Sequence, residues 1–311
     1  EEAQRYAAAG CRYYKMKIHD PDPRENRRRV EAVRKALAER DSEYMRFAGR
    51  IRPGVASRAM TEGKQRRFGR TSETDVDLLT YGGYLKLPEL LSLQQLLSEP
   101  PVHDELLFII VHQAYELWFK QLLFELGSIR DRMMGDDPER ARHRLTRVRA
   151  IERVLIEHIE VLQTMTPQDF LAFRSHLAPA SGFQSVQFRE IEFVSGLKDA
   201  RYIEDVPSSP EERARLARRL EEASLWDGFR SLLEANGLPM PADEAEARRT
   251  SLARMATEPA FAGLFAVSEG LLDHDESFAI WRSHHVLMVE REIGAKRGTG
   301  GSSGVPYLRT T

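Results

Sequence analysis

The chain has 311 residues, 41% of them apolar, and its 46 Lys plus Arg nearly balance 48 Asp plus Glu. That composition excludes a chain disordered throughout and is enough for one or two domains with a sizeable core. The single cysteine, Cys11, excludes an internal disulfide, a thiolate zinc cage and a cysteine-held iron–sulfur cluster.

The most hydrophobic stretch, Leu106 to Leu126, is broken by His112, Gln113, Glu116, Lys120, Gln121 and Glu125, so no membrane span is expected. The opening EEAQRYAAAG has no basic start followed by an apolar run, and a cytoplasmic location is the expectation. Charge is uneven: residues 1–70 carry +9 and the remainder −11. The arginines at 27–29, 66, 67 and 70 lack interleaved aromatic platforms, and no nucleic-acid partner is expected.

Residues 11–38 read as a short strand, a Pro-Asp turn and an amphipathic helix with Val30, Val33 and Leu37 on one face. This segment faintly resembles a βα unit of the enolase superfamily, with Lys15 and Lys17 as its Lys-x-Lys pair. The strands that should follow are missing, because residues 41–70 become rich in Arg, Gly and Ser. Residues 1–70 are therefore taken as an extension and linker, and 71–311 as the functional domain.

From residue 71 the pattern is helical, and the fold class is all-α. Asp104 and Glu105 open a helix whose apolar residues encircle it, which predicts a place at the centre of a bundle. A second long helix should run from Pro138 to about Met165. Thr166, Pro167 and Asp169 give the N-cap, N1 and N3 of a shorter one. Ser209, Pro210 and Glu212 repeat the capping pattern, and Asn236-Gly237 with Pro239 closes the run holding Leu225, Trp226 and Phe229. The last helix is expected from about Phe261 to Gly294, with a break near Asp273, followed by a loop rich in glycine.

Inside a bundle a ligand is held by polar side chains on otherwise apolar faces. His112 lies one turn after Phe108, and His285 one turn after Trp281, while His284 points about 100° away. Each fits either a hydrogen-bonded core histidine or a single imidazole ligand to haem iron. Phe170 and Arg174, spaced i, i+4, fit either a carboxylate clamp beside an aromatic substrate or a surface arginine lying over a ring. The GTGGSSG loop lacks the order of a phosphate loop. It reads as a linker or a lid, with Thr299 as its first hydroxyl.

Four stretches lift that ambiguity: LTYGGYLKLPELLSLQQLLSEP at 79–100, HDELLFIIVHQAYELWFKQ at 103–121, APASGFQSVQFRE at 178–190 and WRSHHVLMVEREIGAKRGTGGSSG at 281–304. In order and spacing, residues from about 72 to 311 strongly resemble the tryptophan 2,3-dioxygenases. The resemblance implies a helical bundle of the haem-dependent indole dioxygenase type, and one haem b per subunit with His285 as its axial ligand. It implies L-tryptophan and O2 as substrates and N-formylkynurenine as product. His112 matches the residue that accepts the indole N–H, and the segment Phe108, Ile109, Ile110, Val111, His112 matches the lining of the indole pocket. Phe170 and Arg174 match the aromatic and carboxylate-binding residues, and Thr299 a loop residue near the substrate ammonium. Tyr81 and Tyr84 match residues lent by a neighbouring subunit of a homotetramer. The same scaffold also suits a relative that adds one oxygen atom to an indole, or a haem-binding bundle without turnover.

Overall fold

The computed structural model describes residues 80–310. The chain divides into two units between Leu79 and Thr80. The first, with the βα reading of residues 11–38, Lys15, Lys17 and the arginine-rich linker, lies outside the described residues.

The described residues form twelve α-helices and two short 3-10 turns, with no strand among them. In chain order these are α1 (Tyr81–Leu85), α2 (Leu87–Leu90), α3 (His103–Met134), α4 (Pro138–Leu162), α5 (Pro167–Leu177), α6 (Val186–Ser195), α7 (Tyr202–Asp205), α8 (Pro210–Glu221), α9 (Leu225–Ala235), α10 (Ala245–Thr257), α11 (Ala262–Ile293) and α12 (Val305–Thr310). The all-α expectation holds.

The helix starts follow the local signals. Thr166, Ser209 and Ser224 each accept from the amide three residues on, while Asp169, Glu212 and Asp227 reach back to the cap amide. Each such box satisfies two orphan donors, and losing the cap hydroxyl costs about 1 kcal/mol. Helix α4 ends at Leu162, three residues before the expected Met165, because the amides of Thr164 and Met165 turn to the carbonyls three residues back and close the helix in tighter turns.

The core is the line along which α4 packs against both α3 and α11, with α6 and α9 against the other side of α3. Leu122, Leu126, Ile129 and Met133 recur at helical spacing on one face of α3 and are completely buried. Truncating any of them to alanine should cost about 2–5 kcal/mol. Gly270 lets α11 approach α4, since a Cβ there would sit 2.9 Å from a Leu145 methyl.

Two expectations need correction. Helix α3 is not enclosed all round: Ile110, Leu117 and Phe124, seven residues apart, stay exposed along one line of the single chain, with Leu106 beside them. Apolarity around a whole helix marks surfaces that avoid water, and not all of those are covered within one chain. The break near Asp273 does not occur, and α11 runs unbroken for 32 residues. Its acidic stretch is tied down instead, Asp273 by Arg149 at 2.6 Å and His274 by Glu152 at 2.5 Å.

Candidate functional site

The capping box of α5 fixes the entry of a helix that carries Phe170 and Arg174 on one face. On α3, Phe108 and His112 are likewise one turn apart, with ring centroids separated by 4.0 Å. The two helices bring Phe108 and Phe170 into a stacked pair at 5.7 Å. Phe173, fully buried, backs both rings edge-on at 5.6 and 5.5 Å. Phe108, His112 and Phe170 bound a cavity of about 480 Å³ whose wall also includes Arg174, His285 and Thr299, a size usual for an organic ligand.

His112 donates its Nδ1 proton to the Phe108 carbonyl, 2.7 Å away. A carbonyl can only accept, so Nε2 is left as the ring's acceptor. Burial pulls the His112 pKa down, the Phe108 carbonyl and Glu116 only partly opposing it, which favours the neutral ring. His285 lies face to face with Trp281, centroids 5.4 Å apart and planes 8° from parallel. Burial, reinforced by His112 and Arg282, pushes its pKa down to about 4. It is a neutral imidazole, the form that ligates metals. His284 is exposed, as the helical geometry requires.

Not all the sequence candidates reach the cavity. Ile109, Ile110 and Val111 do not line it; Val111 packs in the core and Ile110 is exposed. A helix turns about 100° per residue, so of five consecutive positions the first and last come closest in direction, about 40° apart, while the second and third point well away from the first. Tyr81 and Tyr84, on the short helix α1, are exposed and also lie away from the wall.

The loop after α11 packs on the segment before α6. The Thr299 hydroxyl donates to the Ala180 carbonyl at 2.5 Å, and a Cβ on Gly300 would collide with Ser181 at 2.7 Å. Arg174 donates to the Arg297 carbonyl, and no carboxylate pairs with it among the described residues. It is thus both anchored to the loop and part of the cavity wall, more than a cover for Phe170.

Sequence reading missed Glu116, one turn after His112, whose carboxylate accepts from Ser185 Oγ at 2.6 Å and Gln187 Nε2 at 2.7 Å. It also missed Glu292, two turns after His285 on the cavity wall. The helical spacing of both was legible, but charged residues on a helix usually mark its solvated side.

A metal centre built from side chains alone is not apparent, since no group of three or more His, Cys, Asp or Glu comes together among the described residues. A macrocycle that brings four nitrogen donors needs only one imidazole and an apolar slot. His285, with no hydrogen bond to another described residue, beside Met288, Val289 and Phe108, fits that requirement.

The family model described as tryptophan 2,3-dioxygenase matches residues 68–239 and 250–311. The chain belongs to the tryptophan 2,3-dioxygenase family. A tryptophan 2,3-dioxygenase from a Nocardioides strain is 56% identical over 238 residues, covering 75% of this chain and 88% of that protein. Those of Herpetosiphon aurantiacus and an Anaeromyxobacter strain are 44% and 43% identical, covering 75% of this chain and 93% and 90% of their own lengths. The chain is thus an oxidoreductase of the dioxygenase class. No helix among the described residues is long and apolar enough to cross a membrane.

Proposed function

We propose that this enzyme inserts both atoms of O2 across C2 and C3 of the indole of L-tryptophan, giving N-formylkynurenine at the head of tryptophan catabolism by the kynurenine pathway, with one haem b per subunit. The observation that carries this reading is the pair of half-buried histidines on one apolar cavity, one offering a free Nε2 acceptor and the other an imidazole without a hydrogen bond to another described residue. Bound at His285, haem would supply the ferrous iron at which O2 is activated.

The side chains have separate tasks in this reading. His112 Nε2 accepts the indole N–H and sets the ring's orientation. Phe108 and Phe170 flank the indole and exclude water, so the reacting groups are held together in a dry space. Arg174 supplies a charge-assisted fork for the substrate carboxylate. Thr299 brings the loop to the polar end of the substrate, with residues 294–304 as the lid. Ile109, Ile110 and Val111 have no part in it.

A homotetramer in the cytoplasm completes the proposal, with Tyr81 and Tyr84 lent to a neighbouring subunit's pocket. Support comes from their exposure and from the uncovered line Ile110, Leu117, Phe124, a surface suited to a second copy of the chain. Residues 1–70 are assigned as an extension to the domain that begins near residue 71. The test is to supply reduced, haem-loaded protein with L-tryptophan and O2 and to weigh the product. Gain of two oxygen atoms is expected; gain of one, or no consumption of tryptophan, overturns the reading.

A further inference from the structure

His112 and Glu116 both belong to the cavity wall and follow each other by one turn of α3, which puts their Cβ atoms about 5–6 Å apart on one face. Glu116 is fastened to the start of α6. Its Oε1 accepts from the Ser185 hydroxyl at 2.6 Å and its Oε2 from Gln187 Nε2 at 2.7 Å, while the same Gln187 nitrogen donates to the Glu116 backbone carbonyl at 2.9 Å. With both oxygens accepting, neither holds a proton, and the group is a carboxylate. Ser185 is in turn the N-cap of α6 and accepts from the Phe188 amide at 3.2 Å.

Every donor in this arrangement is neutral, and no Lys or Arg pairs with Glu116 among the described residues. A glutamine would fasten α6 at a lower desolvation cost. The N-terminus of α6 makes the charge tolerable without cancelling it, and the charge is felt one turn back, where Glu116 favours the protonated form of His112 against the larger effect of burial.

We propose that Glu116 is a positioning residue for the reaction, its fixed negative charge acting through His112 on the indole N–H. This rests on the tryptophan reading above and adds to it a determinant of rate. Insertion of oxygen draws electrons from the C2–C3 bond of the indole, and the nitrogen lone pair makes good part of that loss, so positive charge gathers at the N–H. His112 Nε2 accepts from that group and takes a share of the charge, its own Nδ1 proton being committed to the Phe108 carbonyl. A carboxylate one turn behind, bonded in place before the substrate arrives, stabilises the charge as it develops and need not rearrange to do so. The uncharged indole of the bound substrate gains little from it, so the effect falls on kcat and not on binding.

The test uses reduced, haem-loaded protein, with turnover of L-tryptophan measured beside its Kd from calorimetric titration. Glu116→Gln removes the charge, keeps the shape and leaves an oxygen for the Ser185 hydroxyl. It should lower kcat about tenfold or more and leave Kd within about a factor of three. Glu116→Asp, which keeps the charge on a shorter side chain, should retain more of kcat than Glu116→Gln; the reverse order marks shape and hydrogen bonding as the role and overturns the proposal. Gln187 is not part of the cavity wall, so Gln187→Met loosens the fastening and spares the charge. It should lower the melting temperature by roughly a few degrees and hold kcat within about a factor of three. Equal losses of kcat in Gln187→Met and Glu116→Gln, or a loss in Glu116→Gln confined to Kd, overturn the proposal. Wild type that turns over tryptophan no faster than Glu116→Gln overturns this inference alone; wild type that consumes no tryptophan overturns the tryptophan reading with it.

Discussion

Two of the three histidines on helix α11, His274 and His285, are eleven residues apart and so within about 20° of the same face. Their surroundings are opposite. His274 is 2% exposed; its Nδ1 bonds Glu152 at 2.5 Å and its Nε2 lies 2.9 Å from Ser195 Oγ. That staple joins α4, α6 and α11. His285 has a cavity on one side, the Trp281 ring on the other, and no hydrogen bond to another described residue. Position on the helix face does not separate a structural histidine from a functional one; the number of protein partners does. A core residue has spent its donors and acceptors, and a binding residue has kept some.

Exchanging the two roles by mutation should give unlike results. His285→Ala should abolish haem retention, seen as loss of Soret absorbance after hemin is added and excess removed, while the fold survives. His112→Ala should keep the haem and lose turnover. Equal haem retention in the two variants would break the assignment. His274→Ala should instead leave Glu152 buried without a partner and cost about 3–5 kcal/mol in urea unfolding, with the folded fraction still taking up haem. Replacing Glu152 by Leu in the same chain should recover much of that loss, because a buried pair is cheaper to remove whole than by half.

The contrast extends to arginines. Arg282 is bound to Glu192 at 2.8 Å, and Glu192 also accepts from the buried Arg189 at 2.7 Å. Arg174 has no carboxylate among the described residues. Arg174→Met should therefore weaken L-tryptophan binding by about 2–5 kcal/mol, measured as Kd, with little change in stability. A comparable loss of binding from Arg282→Met, whose guanidinium is already satisfied, would remove the distinction.

What sequence could reveal follows the same division. The box at Thr166, Pro167 and Asp169, the end of α11 at Gly294 and the pairs Phe108/His112 and Phe170/Arg174 are encoded within one or two helical turns, and all were legible. The cavity was not, because it is assembled from α3, α5, the segment 179–185, α11 and the loop beyond it. Ile109, Ile110 and Val111 were drawn in by adjacency in the chain, where rotation about the helix axis is what counts. His274 was overlooked because Asp273 and Asp275 make its surroundings look like a polar turn, and its partners Glu152 and Ser195 are supplied by other helices.

The smallest expected effect concerns protons. In haem-free protein the His285 pKa is about 4, against about 6.5 for an unfolded chain. The unfolded state therefore binds more protons between these values, and stability rises with pH across that window; above it the imidazole is neutral in both states and contributes nothing. Going from pH 7 to 5.5 should cost about 1 kcal/mol from this group. His112 shifts in the same direction, so His285→Leu should flatten part of the slope and leave the rest. Urea unfolding at the two pH values measures the difference directly. An unchanged slope in the variant would mean that His285 is already satisfied by the protein, and the contrast with His274 would fail at its root.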